Sequence, residues 1–421
     1  MNRWDRFAVA SIVAGAIVRV VWVLIIHNPV DYIYSDMERY VTRAQSLAMG
    51  ADMWRYDAFY PPATHVLLAM PMTLFGTEGA GLWADAVLWC ALSASVPFFA
   101  WRLTRLLLTP AIAALTALLC AFWPLYITYG AFFTSETPAL AFLLAFLWAG
   151  YGAVRLSDRR AGWLGFAAGI FGGVAIASRP QLILNLLVLA VPLLVRRRVA
   201  VLACLVAGMA VVLAGAVLLN SAAADKPTGL SENAGLNFWM GHCDVHYVTT
   251  VDPVRGLSFN IGNPVWTQLE RGRSYYFDEH LIWDQKFFFG LGFQCIEKDG
   301  LGHVRVLSRN VLNMTATTIP WPQVNEDGRW GLVRLSNLAY GILLPLVVIY
   351  SIFVIYRRRG SERSWGEAVM LLQLSCVLLV SLVFYGDPRL RSTYDVFGLA
   401  LLAACIADWL GLEDPRGKRA E

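Results

Sequence analysis

The sequence predicts an all-α protein that crosses a membrane about ten times and carries a small mixed α/β region outside the membrane. Of its 421 residues, 57% are hydrophobic and only 15% are charged, whereas a soluble domain carries about 25% charged residues. Long apolar runs recur along the chain, and clusters of arginine separate many of them. The number of spans follows from the runs, and their direction follows from the clusters.

A helix that spans a membrane needs about 20 mostly apolar residues, and ten segments of the chain have this length or nearly so. They are 7–27, 82–101, 110–129, 135–154, 161–178, 180–195, 199–219, 335–356, 366–385 and 391–411. The first is longer than the roughly 7–15 apolar residues of a signal peptide, so we expect a retained span. Ser178-Arg179-Pro180 divides the fifth from the sixth, because the residue before a proline disfavours helix.

Arginine and lysine clusters set the direction of the spans, because cytoplasmic loops carry an excess of both residues. The clusters are Arg3/Arg6, Arg102/Arg105, Arg155/Arg159/Arg160, Arg196/Arg197/Arg198, Arg357/Arg358/Arg359 and Arg416/Lys418/Arg419. With ten spans and a cytoplasmic N-terminus, every cluster is cytoplasmic. A further span at the short apolar run 65–75 would place every later cluster outside, so we predict an interfacial or re-entrant helix there.

This topology divides the chain into a membrane module, an external region and a second set of membrane helices. The parts are 1–219 (with the external first loop 28–81), 220–334 and 335–421. Cys243 and Cys295 lie in the external region and would pair if that region faces an oxidising compartment. Their spacing alone leaves the pairing open.

Acidic residues near the external ends of the spans are candidates for chemistry. Ser35 and Glu38 fit the capping-box pattern Ser-x-x-Glu, which places Asp36 in the first turn of a helix. The spacing leaves two interpretations: the acids only begin a helix, or Asp36 is a general base at the membrane surface. Glu136, just before Pro138, is either an ordinary turn acid or part of the same site.

Arginines on the external side run against the charge bias. Arg389 and Arg391 open the last span, and a guanidinium group binds phosphate through paired donors. The alternative is that both side chains reach lipid headgroups. Arg179 is a similar external arginine, and Arg19 lies inside the first span. An ionisable residue within a span is either functional or paired with an acid.

A second, metal-binding possibility lies in the external region. His242, Asp244 and His246 alternate, so in an extended chain they would share one face. Such a set could bind a divalent metal but lacks a fourth ligand. No Gly-x-x-x-x-Gly-Lys-Ser/Thr loop occurs, which argues against a pump with its own ATPase site.

In their order along the chain, these motifs resemble those of the GT-C membrane glycosyltransferases. The nearest branch is the protein O-mannosyltransferase and aminoarabinose-transferase superfamily, similar to glycosyltransferase family 39. The motifs are Ser35 to Glu38, Tyr60-Pro61-Pro62, Ser135-Glu136, Arg179-Pro180 and Gly386 to Arg391. Leu390 replaces the aromatic residue usual between the two arginines, and the proline that usually follows the second arginine is absent.

The resemblance implies an inverting transfer of a hexosyl or pentosyl group from a polyprenyl-phosphate donor to an extracytoplasmic glycan, lipid or protein acceptor. It implies that Asp36 is the catalytic base and that Glu38 and Glu136 position the acceptor or a divalent ion. The arginines implied to bind the donor phosphate are Arg389, Arg391 and Arg179. No cofactor follows with certainty, a divalent cation stays open, and no nucleic-acid partner is expected. The expected location is a bacterial inner membrane, with cytoplasmic termini and a periplasmic site.

Two other classes of function compete with this one. A lipid or solute transporter or flippase would need ionisable groups deep in several spans, but the predicted spans contain few beyond Arg19 and Asp85. A non-catalytic partner in envelope assembly would not need to retain Asp36, Glu136 and both arginines of the last motif. The sequence therefore favours the transferase.

Overall fold

The computed structural model describes residues 2–53, 55–243, 245–251, 258–264, 283–316 and 329–412, and these residues are mainly helical. The α-helices are α1 (Arg3–Val21), α2 (Asp36–Ala48), α3 (Ala63–Phe75), α4 (Ala80–Leu107), α5 (Pro110–Phe122), α6 (Pro124–Tyr129), α7 (Glu136–Arg155), α8 (Arg160–Ser178), α9 (Ile183–Val195), α10 (Val199–Ala224), α11 (Ala234–His242), α12 (Gln285–Asp299), α13 (Val304–Asn313), α14 (Arg329–Arg357), α15 (Glu362–Val383), α16 (Pro388–Ser392) and α17 (Asp395–Trp409). Short 3₁₀ and π turns join several of them.

Seven helices within the described ranges are long and apolar enough to cross a membrane, which confirms a multi-pass membrane protein. They are Arg3–Ile26, Ala80–Leu107, Glu136–Arg155, Arg160–Ser178, Val199–Ala224, Gly331–Arg357 and Glu362–Val383. The other three predicted spans are shorter helices: Pro124 separates α5 from α6, Pro180 opens a 3₁₀ turn before α9, and α17 has 15 residues. Proline explains the first two breaks, because it lacks an N–H donor and its ring clashes with the preceding turn.

Helix α7 lies at the centre of the membrane part, with 83% of its most apolar 18 residues buried. It packs against α4 and α8, and α8 packs against α10. Small residues permit the last contact, because a Cβ at Gly169 would clash with the carbonyl oxygen of Leu205. This dense packing fixes the position at which α7 begins, and α7 begins at Glu136.

The first loop contains α2 and α3, which pack against each other. Helix α3 has 13 residues, too few to span, as predicted for the run 65–75. The predicted capping box at Ser35 and Glu38 is wrong. Ser35 has a φ of +53° and makes no side-chain capping bond, and Glu38 is exposed. A capping serine needs an extended backbone to reach the helix N–H groups, and this backbone is not extended.

Arg19 is fully buried between the helices, and its hydrogen-bond partners are not acids. Its guanidinium group donates to the carbonyl oxygens of Gly15, Cys120 and Ala121 and to Ser93 Oγ, at 2.6–3.0 Å. The partners are therefore backbone carbonyls and a hydroxyl rather than an acid. Arg19 thereby ties α1 to α4 and α5.

The region after α10 contains α11, α12, α13 and a pair of antiparallel strands, β1 (Val245–Val251) and β2 (Ser258–Pro264). A disulfide joins Cys243 to Cys295 and so links the end of α11 to α12. That 220–334 forms a separate mixed α/β domain stays a prediction.

This outer region sits directly on the end of α15. A Cβ at Gly241 would clash with the carbonyl oxygen of Phe384, and one at Gly386 would clash with that of Asn310. Asn310 Nδ2 also donates to the carbonyl oxygen of Gly241 at 2.7 Å. These close contacts hold the segment between α15 and α16 in place, and that segment leads into Arg389.

Candidate active site

Four charged residues from distant parts of the chain meet at one place. Asp36 begins α2, Glu136 begins α7, Arg179 follows α8, and Arg389 lies in α16. The first and last are 353 positions apart in sequence and hydrogen-bonded to each other. The fold thus assembles two carboxylates and two guanidinium groups that were predicted separately.

Arg389 bridges the two carboxylates. Its Nη1 donates to Asp36 Oδ2 at 2.6 Å, and its Nε donates to Glu136 Oε1. Burial alone would lower the pKa of Arg389, but the carboxylates of Glu136 and Asp36 raise that pKa well above its ordinary value. The backbone is held as well, because Asp387 Oδ1 accepts a hydrogen bond from the Arg389 N–H at 2.5 Å.

Glu136 and Arg179 form the more buried half of the cluster. The side chain of Glu136 is 2% exposed and that of Arg179 is 11% exposed, and Arg179 Nη2 donates to Glu136 Oε1 at 2.9 Å. The other donors of Arg179 bind Ser135 Oγ at 3.3 Å and the carbonyl oxygen of Arg389 at 3.2 Å. Arg179 therefore positions both Glu136 and the backbone of Arg389.

Asp36 is the most exposed of the four, with 24% of its side chain accessible. Tyr60 Oη donates to Asp36 Oδ1 at 3.0 Å. Burial, and then the charge of Asp36, raise the pKa of Tyr60 well above its usual value, so Tyr60 keeps its proton. Burial and the same carboxylate raise the pKa of Tyr40 to about 12. Sequence reasoning did not assign Tyr60 to the site, although its Tyr-Pro-Pro motif was a signal.

Arg391 does not join this cluster. Its side chain is 1% exposed and forms an ion pair with Asp395 at 2.7 Å. It also donates to Asn337 Oδ1 at 2.7 Å and to the carbonyl oxygen of Met314 at 2.9 Å, and its guanidinium lies 4.3 Å from the ring centroid of Tyr340. Helix residues two positions apart do not face each other, which explains why the two arginines separate.

Glu38 and the histidine set lie apart from the cluster as well. Glu38 is exposed and, two residues after Asp36 on α2, points elsewhere. His242 ends a helix instead of lying in an extended segment, and its ring is bonded to His303 Nε2 at 2.9 Å and to the carbonyl oxygen of Val383 at 3.0 Å. Asp244 and the side chain of His246 lie outside the described residues. In the part of the chain that is described, no three His, Cys, Asp or Glu residues group as for a metal.

Comparisons with known proteins agree with this architecture. Residues 60–219 match the family model for dolichyl-phosphate-mannose-protein mannosyltransferase. This match contains Glu136 and Arg179 of the cluster, and also Tyr60, which donates to Asp36. The search of curated proteins found no match.

Solved structures match almost the whole chain. The oligosaccharyltransferase AglB from Archaeoglobus fulgidus, in complex with an inhibitory peptide and a dolichol-phosphate, has a TM-score of 0.52 and 15% identity and covers 100% of this chain and 53% of its own. The same enzyme with a tethered acceptor peptide has a TM-score of 0.50 and 14% identity and covers 98% and 52%. ArnT from Cupriavidus metallidurans bound to undecaprenyl phosphate has a TM-score of 0.41 and 16% identity and covers 94% and 76%.

The family match and the archaeal enzyme confirm the predicted GT-C fold and the resemblance to the mannosyltransferase superfamily. The chain spans about half the length of the archaeal oligosaccharyltransferases that it matches.

Proposed function

We propose that this protein, a membrane protein with the GT-C fold, transfers a sugar from a polyprenyl-phosphate carrier to an extracytoplasmic acceptor. The convergence of Asp36, Glu136, Arg179 and Arg389 carries the proposal. The reaction needs a group that accepts a proton and a group that stabilises a departing phosphate. A carboxylate and a guanidinium group in direct contact supply both.

The proposed chemistry is a single inverting displacement. The acceptor oxygen or nitrogen attacks the anomeric carbon, its proton passes to Asp36, and the bond from that carbon to the phosphate oxygen breaks. The electron pair of the broken bond leaves with the carrier phosphate, whose charge Arg389 stabilises. Because phosphate is already a good leaving group, one carboxylate suffices, unlike the acid and base pair of a glycoside hydrolase.

The other residues have supporting parts in this proposal. Glu136 and Arg179 hold Arg389 in position, and exposed Glu38 is available to an acceptor. Arg391 supports the fold beside the site rather than the phosphate. A divalent cation fits the cluster poorly, because the two guanidinium groups already contact Glu136 and neutralise both carboxylates. The proposal therefore uses no metal.

An extracytoplasmic location of the site has independent support. Disulfides persist in oxidising compartments, and Cys243 and Cys295 are paired. Gly241, two residues before Cys243, packs against Phe384, close in sequence to Arg389. The disulfide and the charged cluster therefore lie on the same side. A bacterial inner membrane with cytoplasmic termini, as the arginine clusters predict, is part of the proposal.

A polyprenyl phosphate is the proposed carrier, because sugar nucleotides are found in the cytoplasm whereas the proposed site is extracytoplasmic. The complex of AglB with a dolichol-phosphate supports a carrier of this chemistry. Either a hexosyl or a pentosyl group, and a glycan, lipid or protein acceptor, would suit the same four residues. The transporter alternative is weakened by Arg19, which is bonded to helix carbonyls and so does not line a path.

The test is transfer from a panel of radiolabelled polyprenyl-phosphate sugars in membranes, comparing the wild type with Asp36→Asn. General-base catalysis contributes about 10²–10⁴-fold, so we expect label to reach an acceptor only with the wild type. Equal amounts of folded protein are verified first by size-exclusion chromatography. Turnover retained by Asp36→Asn would refute the role of Asp36. No transfer from any donor would favour a transporter or an envelope-assembly partner.

A further inference from the structure

Arg389 contacts the proposed base and is also the group proposed to bind the donor phosphate. Its Nη1 donates to Asp36 Oδ2 at 2.6 Å. A guanidinium group binds carboxylate and phosphate oxygens with the same forked donors. Asp36 and the phosphate are therefore competing anions for one cation.

The charges of the cluster sharpen this competition. Asp36 and Glu136 carry two negative charges, and Arg179 and Arg389 carry two positive charges, so these four sum to zero, and Asp387 beside Arg389 adds no positive charge. An arriving phosphate adds negative charge to a neutral cluster that is largely shielded from water. Placing that charge is costly unless a guanidinium group exchanges a carboxylate for it.

The exposed fractions of the four side chains indicate which ion pair an incoming phosphate would break. Glu136 and Arg179 are 2% and 11% exposed, and Arg179 already donates to Ser135, Glu136 and a backbone carbonyl. Asp36 and Arg389 are 24% and 16% exposed, so their contact borders solvent. The buried half anchors the cluster, and the pair Asp36–Arg389 is the one that an incoming anion reaches.

We propose that the donor phosphate displaces Asp36 from Arg389, so that donor binding itself releases the carboxylate oxygen that takes the acceptor's proton. This inference rests on the proposed function. Tyr60 holds Asp36 Oδ1 at 3.0 Å, which keeps the released carboxylate at the site. When the glycosidic bond forms and the bond from the anomeric carbon to the phosphate breaks, Arg389 stays with the phosphate and the proton stays on Asp36. The donor binds before the acceptor is activated.

The test measures binding of undecaprenyl phosphate, the carrier without a sugar, to the full-length protein in lipid nanodiscs. Asp36→Asn removes the competing anion, so we expect it to bind the carrier at least about tenfold more tightly than the wild type. That factor corresponds to one charge-assisted hydrogen bond. A variant expected to abolish transfer thus gains affinity for the carrier. Asp36→Ala should also increase the affinity for the carrier, and it replaces Asp36→Asn in the test if that variant does not fold.

A double-mutant cycle separates competition for Arg389 from simple charge repulsion. In an Arg389→Gln background, Asp36→Asn should change the affinity by less than about twofold. Asp31→Asn, which removes an exposed carboxylate of the same loop, is the matched charge control and should leave the affinity unchanged.

Equal or weaker binding by Asp36→Asn overturns the inference. So does tightening that persists without Arg389 or that Asp31→Asn reproduces. These results leave the proposed transferase intact, since the transfer assay tests it separately. No saturable binding of undecaprenyl phosphate by any variant overturns the proposed carrier and the inference together.

Discussion

Arg389 and Arg391 lie two residues apart, yet they belong to two different regions of the molecule. Arg389 contacts carboxylates from α2 and α7, and 16% of its side chain is exposed. Arg391 is 1% exposed and is enclosed by Asp395, Asn337 and the ring of Tyr340. Both regions contain arginine and carboxylate, and what distinguishes them is access to solvent.

Charge type and a position near the end of a span therefore do not by themselves identify a ligand-binding arginine. Every nitrogen of Arg391 lies against an oxygen of the protein, and the region around it is closed. Arg389 instead holds Asp36 at the edge of the protein, where an incoming anion can compete. A fully buried ion pair such as Arg391–Asp395 holds helices together, whereas a partly exposed pair such as Arg389–Asp36 is accessible to a ligand.

The largest expected effect is a loss of sugar transfer on substitution of Arg389, in the partly exposed region. Arg389→Met should lower kcat/KM for sugar transfer by about 10²–10³, the usual effect of losing one preorganised donor to a developing charge. The free energy of unfolding should change little, because Glu136 keeps its ion pair with Arg179. Asp36 keeps the hydrogen bond from Tyr60 and is partly exposed to water. Transfer assays and thermal unfolding in detergent measure the two quantities. Near wild-type transfer would remove Arg389 from the proposed site.

The same substitution at the enclosed region should affect stability instead. Arg391→Met leaves Asp395, which is fully buried, without its cation, and breaking such a pair costs about 3–5 kcal/mol. We expect a lower unfolding temperature, with near-normal kcat/KM for the fraction that remains folded. Arg391→Met with Asp395→Leu should recover much of the loss. If Arg391→Met stays stable but does not bind the carrier, the two regions are not functionally distinct.

The smallest expected effect concerns the hydroxyl that holds Asp36. Tyr60→Phe removes one hydrogen bond, worth about 1 kcal/mol, so kcat should fall about fivefold while the unfolding temperature hardly changes. Tyr56→Phe is the matched control, since Tyr56 lies in the same loop and its ring stacks on that of Phe59, with 5.7 Å between the centroids. An equal loss in both variants would indicate a general effect on the loop rather than a positioning role for Tyr60.

Local properties of the sequence were enough to predict the class of the protein and an external position for its candidate residues. Hydropathy and charge are properties of short segments, so apolar runs and arginine clusters predicted a multi-pass membrane protein. The short motifs at Asp36, Glu136, Arg179 and Arg389 predicted a GT-C glycosyltransferase.

Which of these residues meet depends on how distant helices pack against one another. The contact of Asp36 with Arg389 joins positions 353 apart, and no local pattern encodes such a distance. Whether an arginine faces a cluster or a closed interior depends on the rotation of α16, which its packing against distant segments sets. His242 likewise ends a helix although its alternating pattern predicted an extended segment, and Ser35 does not cap α2 although its motif predicted a cap. In both places contacts between distant segments outweigh local preference.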